Sequence, residues 1–201
     1  MMRAMSPSPV EAARALAPRA AELAASAERE RRLSADFSGE LAAAGLYRLC
    51  VPASVGGGEA EPGALLEVVE TLATGDAAAG WCVAVCATAG MLAAYLDPAP
   101  ANEVYGDPDG VVGGVFAPSG RALADGDGLN VSGRWRFSSN VDNCSWVMGG
   151  CVVFDGDQPR ELESGRPDIR LTLMPANEVE VIDTWSVSGL RATGSHDVAV
   201  E

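Results

Sequence analysis

Residues 102–116 read NEVYGDPDGVVGGVF, and the fold turns on what happens inside them. Up to Tyr105, apolar residues recur at helical spacing among Ala, Glu and Arg. From Gly110 the apolar runs become short and Val-rich or aromatic, and Gly, Asp, Asn and Pro separate them. A single switch from helix to strand, without alternation, argues against βαβ units and a doubly wound sheet. The expectation is an α+β chain: an N-terminal all-α helical domain over 1–109, followed by an antiparallel β-barrel or sandwich domain over 110–201.

Toward the N-terminus the spacing predicts a helix over about 9–32, with Pro18 marking a kink or a late start. A second runs from a Ser34 cap to Gly45. CVPASVGGGEAEPG, residues 50–63, breaks the pattern, and its glycines lack the Lys-Ser/Thr of a phosphate loop. A helix over 62–74 follows, with Leu65, Leu66, Val68, Val69 and Leu72 as its apolar face. Asp76 caps Ala77–Leu96, an uncharged stretch long enough to span a membrane. Its Ala, Gly, Thr and Cys content, with no Arg anchor at either end, favours a buried helix instead. A short helix from Pro98 reaches Tyr105. Toward the C-terminus, VVGGVF, LNVSGRWRFS, SWVMGGCVVF, IRLTLMP, EVEVID and SHDVAVE read as strands, and ADGDG and DGDQP as turns. The last strand reaches Glu201 with no turn or cap behind it, so a parent protein that continues further is expected.

The net charge of −14 and pI near 4.4 disfavour nucleic acid and anionic membrane surfaces as partners. All fourteen basic residues are Arg. The five cysteines form no CxxC pair and lack zinc spacing, so no metal site is expected and a reducing, cytoplasmic location is. MMRAMSPSPVEAARALAPRAAEL holds no apolar core of signal-peptide length.

GRWRFSSNVDNCSW, residues 133–146, carries the densest polar and aromatic equipment. As a plain strand it places Trp135, Phe137 and Ser139 on one face and Arg136, Ser138 and Asn140 on the other. Such a strand suits a flat heteroaromatic ligand, whose plane the aromatics cover while hydroxyls and amides meet its ring atoms. An ordinary half-buried sandwich strand shows the same alternation.

Four pieces in order resemble the acyl-CoA dehydrogenase superfamily: VPASVGGGEAEPGALLEVVETLATGDAAAGW, VFAPSGRA, VSGRWRFSSN and DTWSVSGLRATGSHDVAVE. WRFSSN and GLRATGSHDV are similar to the branch of two-component flavin hydroxylases, which take reduced flavin from a partner reductase and use dioxygen. APSGRA replaces the acidic residues of the dehydrogenases' first flavin motif. Asn140 stands where the hydroxylase branch has Gly, which leaves the local turn open. The family's C-terminal helical bundle is missing, and with it the catalytic base and much of the homo-oligomer interface.

The resemblance implies a flavin, FAD or FMN, tuned by the hydroxyl or amide of Ser138. Ser139 and Phe137 would flank the ring, with core packing as the alternative. Trp135 would either stack on the cofactor or fill the sheet. Phe116 and Gly120 would lie where the backbone approaches the flavin. Trp81 would line the substrate pocket or fill the core, and Arg191 would meet a substrate anion or a surface acid. His196, in the β-domain, is not expected to be the base. The implied activity is hydroxylation of a small aromatic or polyketide-like substrate. Acyl-CoA dehydrogenation and a catalytically incomplete flavin-binding or assembly protein stand as alternatives.

Overall fold

Five helices and seven strands make up the computed structural model, which describes residues 7–126 and 128–201. Helix α1 (Pro9–Glu30) opens with a capping box, in which Ser8 Oγ accepts from the Glu11 amide and the Glu11 carboxylate accepts from the Ser8 amide. It runs without a break through Pro18, so the helix does not start late there. Ser34 caps α2 (Ala35–Ala43), and Gly45 leaves it with φ 73°, a conformation that glycine adopts freely. Helix α3 (Pro62–Ala73) buries Val68 and Leu72 but leaves Leu66 exposed, a narrower apolar face than expected.

Asp76 caps α4 (Ala77–Ala89), accepting from the Ala78 amide, and a 3-10 segment (Gly90–Tyr95) extends it. Together they are long and apolar enough to cross a membrane, yet over half of that stretch is buried inside this chain. Helix α4 lies against α3 and the first strand, and Val83 and Cys82 join Leu41, Leu46 and Leu72 in the helical core.

The switch segment is held from both sides. Helix α5 (Pro98–Tyr105) ends where Tyr105 donates its hydroxyl to Ala89 O. The buried Arg48 guanidinium donates to the carbonyls of Tyr105, Asp107 and Val55. Burial without a carboxylate in contact pulls this arginine below its usual range.

The strands are β1 (Val112–Asp125), β2 (Gly128–Ser138), β3 (Trp146–Asp155), β4 (Gln158–Pro159), β5 (Ile169–Pro175), β6 (Glu180–Ile182) and β7 (His196–Val200). They form one open sheet in the order β4-β3-β1-β2-β7-β6, with β5 also on β3. Helices followed by a sheet is the expected class, but the sheet does not close into a barrel and is mixed: β1 pairs with β3 in parallel. After the β1–β2 hairpin, a 3-10 turn (Val141–Asn143) carries the chain to the far edge of β1, so β3 runs in the direction of β1. The expected turn ADGDG joins β1 to β2, and its Asp127 lies outside the described residues.

Candidate functional site at the helix–sheet seam

Two irregularities set the geometry of the sheet. On β1, pairing with β3 jumps from Val115↔Gly149 to Gly120↔Cys151, so Phe116–Ser119 bulge out around Pro118, which has no amide to donate. On β2, pairing with β7 jumps from Trp135↔Val198 to Ser138↔His196. The extra residue is Phe137, at φ 67°, left-handed backbone that a bulky side chain adopts only under constraint.

The second bulge redistributes the strand's equipment. Trp135 is 0% exposed, and its Nε1 donates to Gly150 O at 2.6 Å. A Cβ at Gly120 would collide with the indole and reach Cys151 Sγ at 2.7 Å, and one at Gly149 would lie 2.7 Å from Trp135 Cε2. Trp135 and Gly120 are therefore core partners: the glycine makes room for an indole, and no face of the ring is open to a cofactor. Phe137 does not follow Trp135 inward as alternation required. Its ring is 63% exposed and meets Trp185 edge-on, centroids 5.9 Å apart at 72°. Ser138 turns inward beside His196, 0% exposed, with no hydrogen-bond partner for Oγ among the described residues. Its sealed hydroxyl does not reach a ligand in this conformation.

Ser139 instead faces the seam. Trp81 on α4, 48% exposed, donates Nε1–H to Ser139 Oγ at 3.0 Å. From Ser139 a hydroxyl chain runs to Ser195 at 2.8 Å and on to Thr193 at 2.7 Å, and Thr193 Oγ1 donates to Leu190 O. A carbonyl only accepts, so the direction is fixed: Thr193 donates to Leu190, Ser195 to Thr193, and Ser139 to Ser195. Ser139 Oγ has thus committed its proton, and toward anything in the seam it can only accept. Asn140 takes φ 61°, the left-handed turn open to Gly and tolerated by Asn, and its amide donates to Thr193 O.

The segment carrying Trp185 is tied down by residues whose role the sequence did not show. His196 Nδ1 accepts from the amides of Thr184 and Trp185, each at 3.3 Å, which assigns the neutral ring's proton to Nε2, on the side of Asp142 Oδ2 at 3.8 Å. Asp183 Oδ1 also stands 3.4 Å from Nδ1, but that carboxylate is taken by Arg31 through two bonds of 2.6 Å. Arg191 docks against α1: Nε donates to Glu28 O, and its backbone amide donates to the Glu28 carboxylate. Phe116 lies apart, in a groove of about 630 Å³ with Met91, Tyr95 and Leu171. All five cysteines are free. Burial raises Cys50, Cys82 and Cys151, and for Cys144 the hydrogen bond with Cys86 comes first, then burial, the reverse of an activated thiolate. No metal-binding cluster occurs among the described residues.

The Arg31 hydrogen bond holds the Asp183 carboxyl below the ordinary carboxylate range. A depressed folded value means that the link is complete above the unfolded Asp range, near about pH 4, and is lost as pH falls through the lowered value. The Trp185 indole resonance should therefore show an acid step that reports the loss of this link. Asp183→Asn should abolish that step, and a resonance that titrates identically in the variant would disprove the linkage.

Residues 10–99 match the family described as acyl-CoA dehydrogenase, N-terminal domain. An indole-3-acetate monooxygenase of Pseudomonas putida is 36% identical over 180 residues, covering 87% of this chain and 43% of the relative. The HsaA monooxygenase from M. tuberculosis superposes with a TM-score of 0.86 at 31% identity, over 96% of this chain and 52% of that one. XiaF from Streptomyces sp., solved with FADH2 and glycerol, gives 0.84 at 30% identity, over 96% and 47%. The chain spans about half the length of the relatives it matches.

Proposed function

This chain belongs to the acyl-CoA dehydrogenase superfamily, and from that premise we propose that it binds reduced flavin as the oxygenase component of a flavin-dependent monooxygenase acting on a small aromatic substrate. The observation that carries the reading is Phe137. The fold accepts backbone strain of about 1–3 kcal/mol to turn a phenyl ring out of the core, against Trp185 and beside the seam. Exposed aromatics on the sheet and on α4, with a fixed hydroxyl bonded to one of them, suit a planar heteroaromatic ring, and a relative solved with FADH2 supports that ring's identity.

When bound, reduced flavin supplies two electrons, so that one atom of dioxygen enters the substrate and the other leaves as water. The chain's own residues prepare the place. Phe137 with Trp185 presents aromatic surface from the sheet side, and Trp81, bonded to Ser139, presents its own from α4. Ser139 Oγ, with its proton committed to Ser195, accepts a hydrogen bond. That polarity selects an oxidation state, because reduced flavin carries an N–H where the oxidised ring has a bare nitrogen. The reading includes a separate flavin reductase as partner and a cytoplasmic location, which the free cysteines favour.

Anaerobic titration should show reduced flavin binding about tenfold more tightly than oxidised flavin, the weight of one well-placed hydrogen bond. Ser139→Ala should erase the difference. Equal affinity for both states would refute the acceptor role of Ser139, and binding of neither would refute the flavin reading.

A further inference from the structure

We infer that Arg136 and Phe137 form a recognition pair for a planar ring bearing an oxyanion, with the Arg136 guanidinium taking the phosphate or carboxylate. The inference deepens the flavin reading and rests on it. It starts from the bulge on β2. In a regular strand, neighbouring side chains point to opposite faces. Here the register shift leaves Arg136 and Phe137 both open, the first with its side chain 76% exposed, while Trp135 before them and Ser138 after them are sealed. A bulge re-aims side chains in this way, and its result here is a guanidinium beside an exposed aromatic.

Arg136 is also unspent. Its one acidic neighbour within salt-bridge range among the described residues is Asp197, at 4.0 Å. Asp197 is buried and already satisfied: Arg134 grips it through Nε at 2.9 Å and a terminal nitrogen at 2.7 Å, and Thr184 Oγ1 donates to it at 3.1 Å. With Asp197 matched by Arg134, the Arg136 charge faces outward without a counterpart.

The surroundings reinforce this. The chain carries a net charge of −14, and in this region Arg31 pairs with Asp183, Arg32 with Asp142 and Arg134 with Asp197, while the Glu28 carboxylate is taken by the Arg191 amide. An anion that reaches this strand therefore meets a guanidinium without a close counter-ion on an otherwise acidic protein. A guanidinium binds the planar edge of a carboxylate or phosphate through paired N–H donors, which a neutral ring cannot exploit.

Two matched pairs of ligands, titrated against the full chain, test the inference: FMN against riboflavin, and indole-3-acetate against indole. The unaltered protein should favour the anionic member of at least one pair by about tenfold, as one charge-assisted contact allows. Arg136→Gln should remove that preference, with the loss falling on the anionic ligand, and Arg136→Lys should restore it in part. A preference confined to the flavin pair identifies the phosphate, and one confined to the indole pair identifies the carboxylate. An anion preference that survives Arg136→Gln, or none in either pair, overturns the inference while leaving flavin binding intact. Failure of both flavins to bind overturns the underlying reading as well.

Discussion

Trp135→Ala should lower the unfolding free energy by about 3–5 kcal/mol, the range for emptying a large aromatic site in a core. The upper part of that range applies, because the site cannot collapse. The indole lies in a slot whose walls are the backbones of Gly120, Gly133 and Gly149, and those backbones are fixed by the ladders of β1, β2 and β3. Removing the ring also leaves the buried Gly150 carbonyl without its donor. Domains of this size hold only about 5–15 kcal/mol in total, so the variant should show a greatly lowered urea midpoint. Trp135→Phe should recover the packing but not the hydrogen bond, and fall between. From the other side, Gly120→Ala should cost about 1–3 kcal/mol by overpacking the same slot. If Trp135→Ala unfolds within about 1 kcal/mol of the parent, less than a large buried side chain contributes, the sheet is not organised around this ring.

The same slot shows what could be read from the residues and what could not. Helix boundaries were legible because they are written locally: Ser34, Asp76 and Pro98 each act within a turn of where they stand. The change from helix to strand after Tyr105 was legible for the same reason. Strand faces were legible only as far as Trp135. The inserted residue at Phe137 ends the alternation: Phe137 turns outward, and Ser138, Ser139 and Asn140 are all buried. Nothing in WRFSS announces a bulge, because Phe137 takes its left-handed backbone from tertiary pairing with β7 and not from its own preference. The parallel β1–β3 pair was hidden likewise, since Val-rich runs carry no direction. Gly120 was expected where the backbone approaches a flavin; the group that the structure packs against it is the indole from the next strand. Trp185 and its anchors escaped notice because they come together from Arg31, Asp183 and His196, which no local pattern connects.

His196→Leu should be the most damaging single change to the seam, because it acts on structure and ligand together. The ring is buried, and Nδ1 is the acceptor for the amides of Thr184 and Trp185. Leucine fills much of the volume but leaves both amides without their acceptor; Thr184 is exposed and Trp185 half-buried, so water replaces part of the loss and the cost should be about 1–2 kcal/mol. The released segment carries the indole that meets Phe137, so reduced-flavin affinity should fall along with the protection of these amides against hydrogen exchange. His196→Asn separates this account from generic core damage. The Asn side-chain oxygen comes close to the place of Nδ1 and can accept from both amides, while nothing replaces Nε2 opposite Asp142. Amide protection and flavin affinity should therefore return together in the Asn variant, although it loses more side-chain volume than the Leu variant does. Should Leu preserve the protection of the Thr184 and Trp185 amides, or should Asn restore that protection without restoring flavin binding, then His196 does not hold Trp185 in place for the ligand.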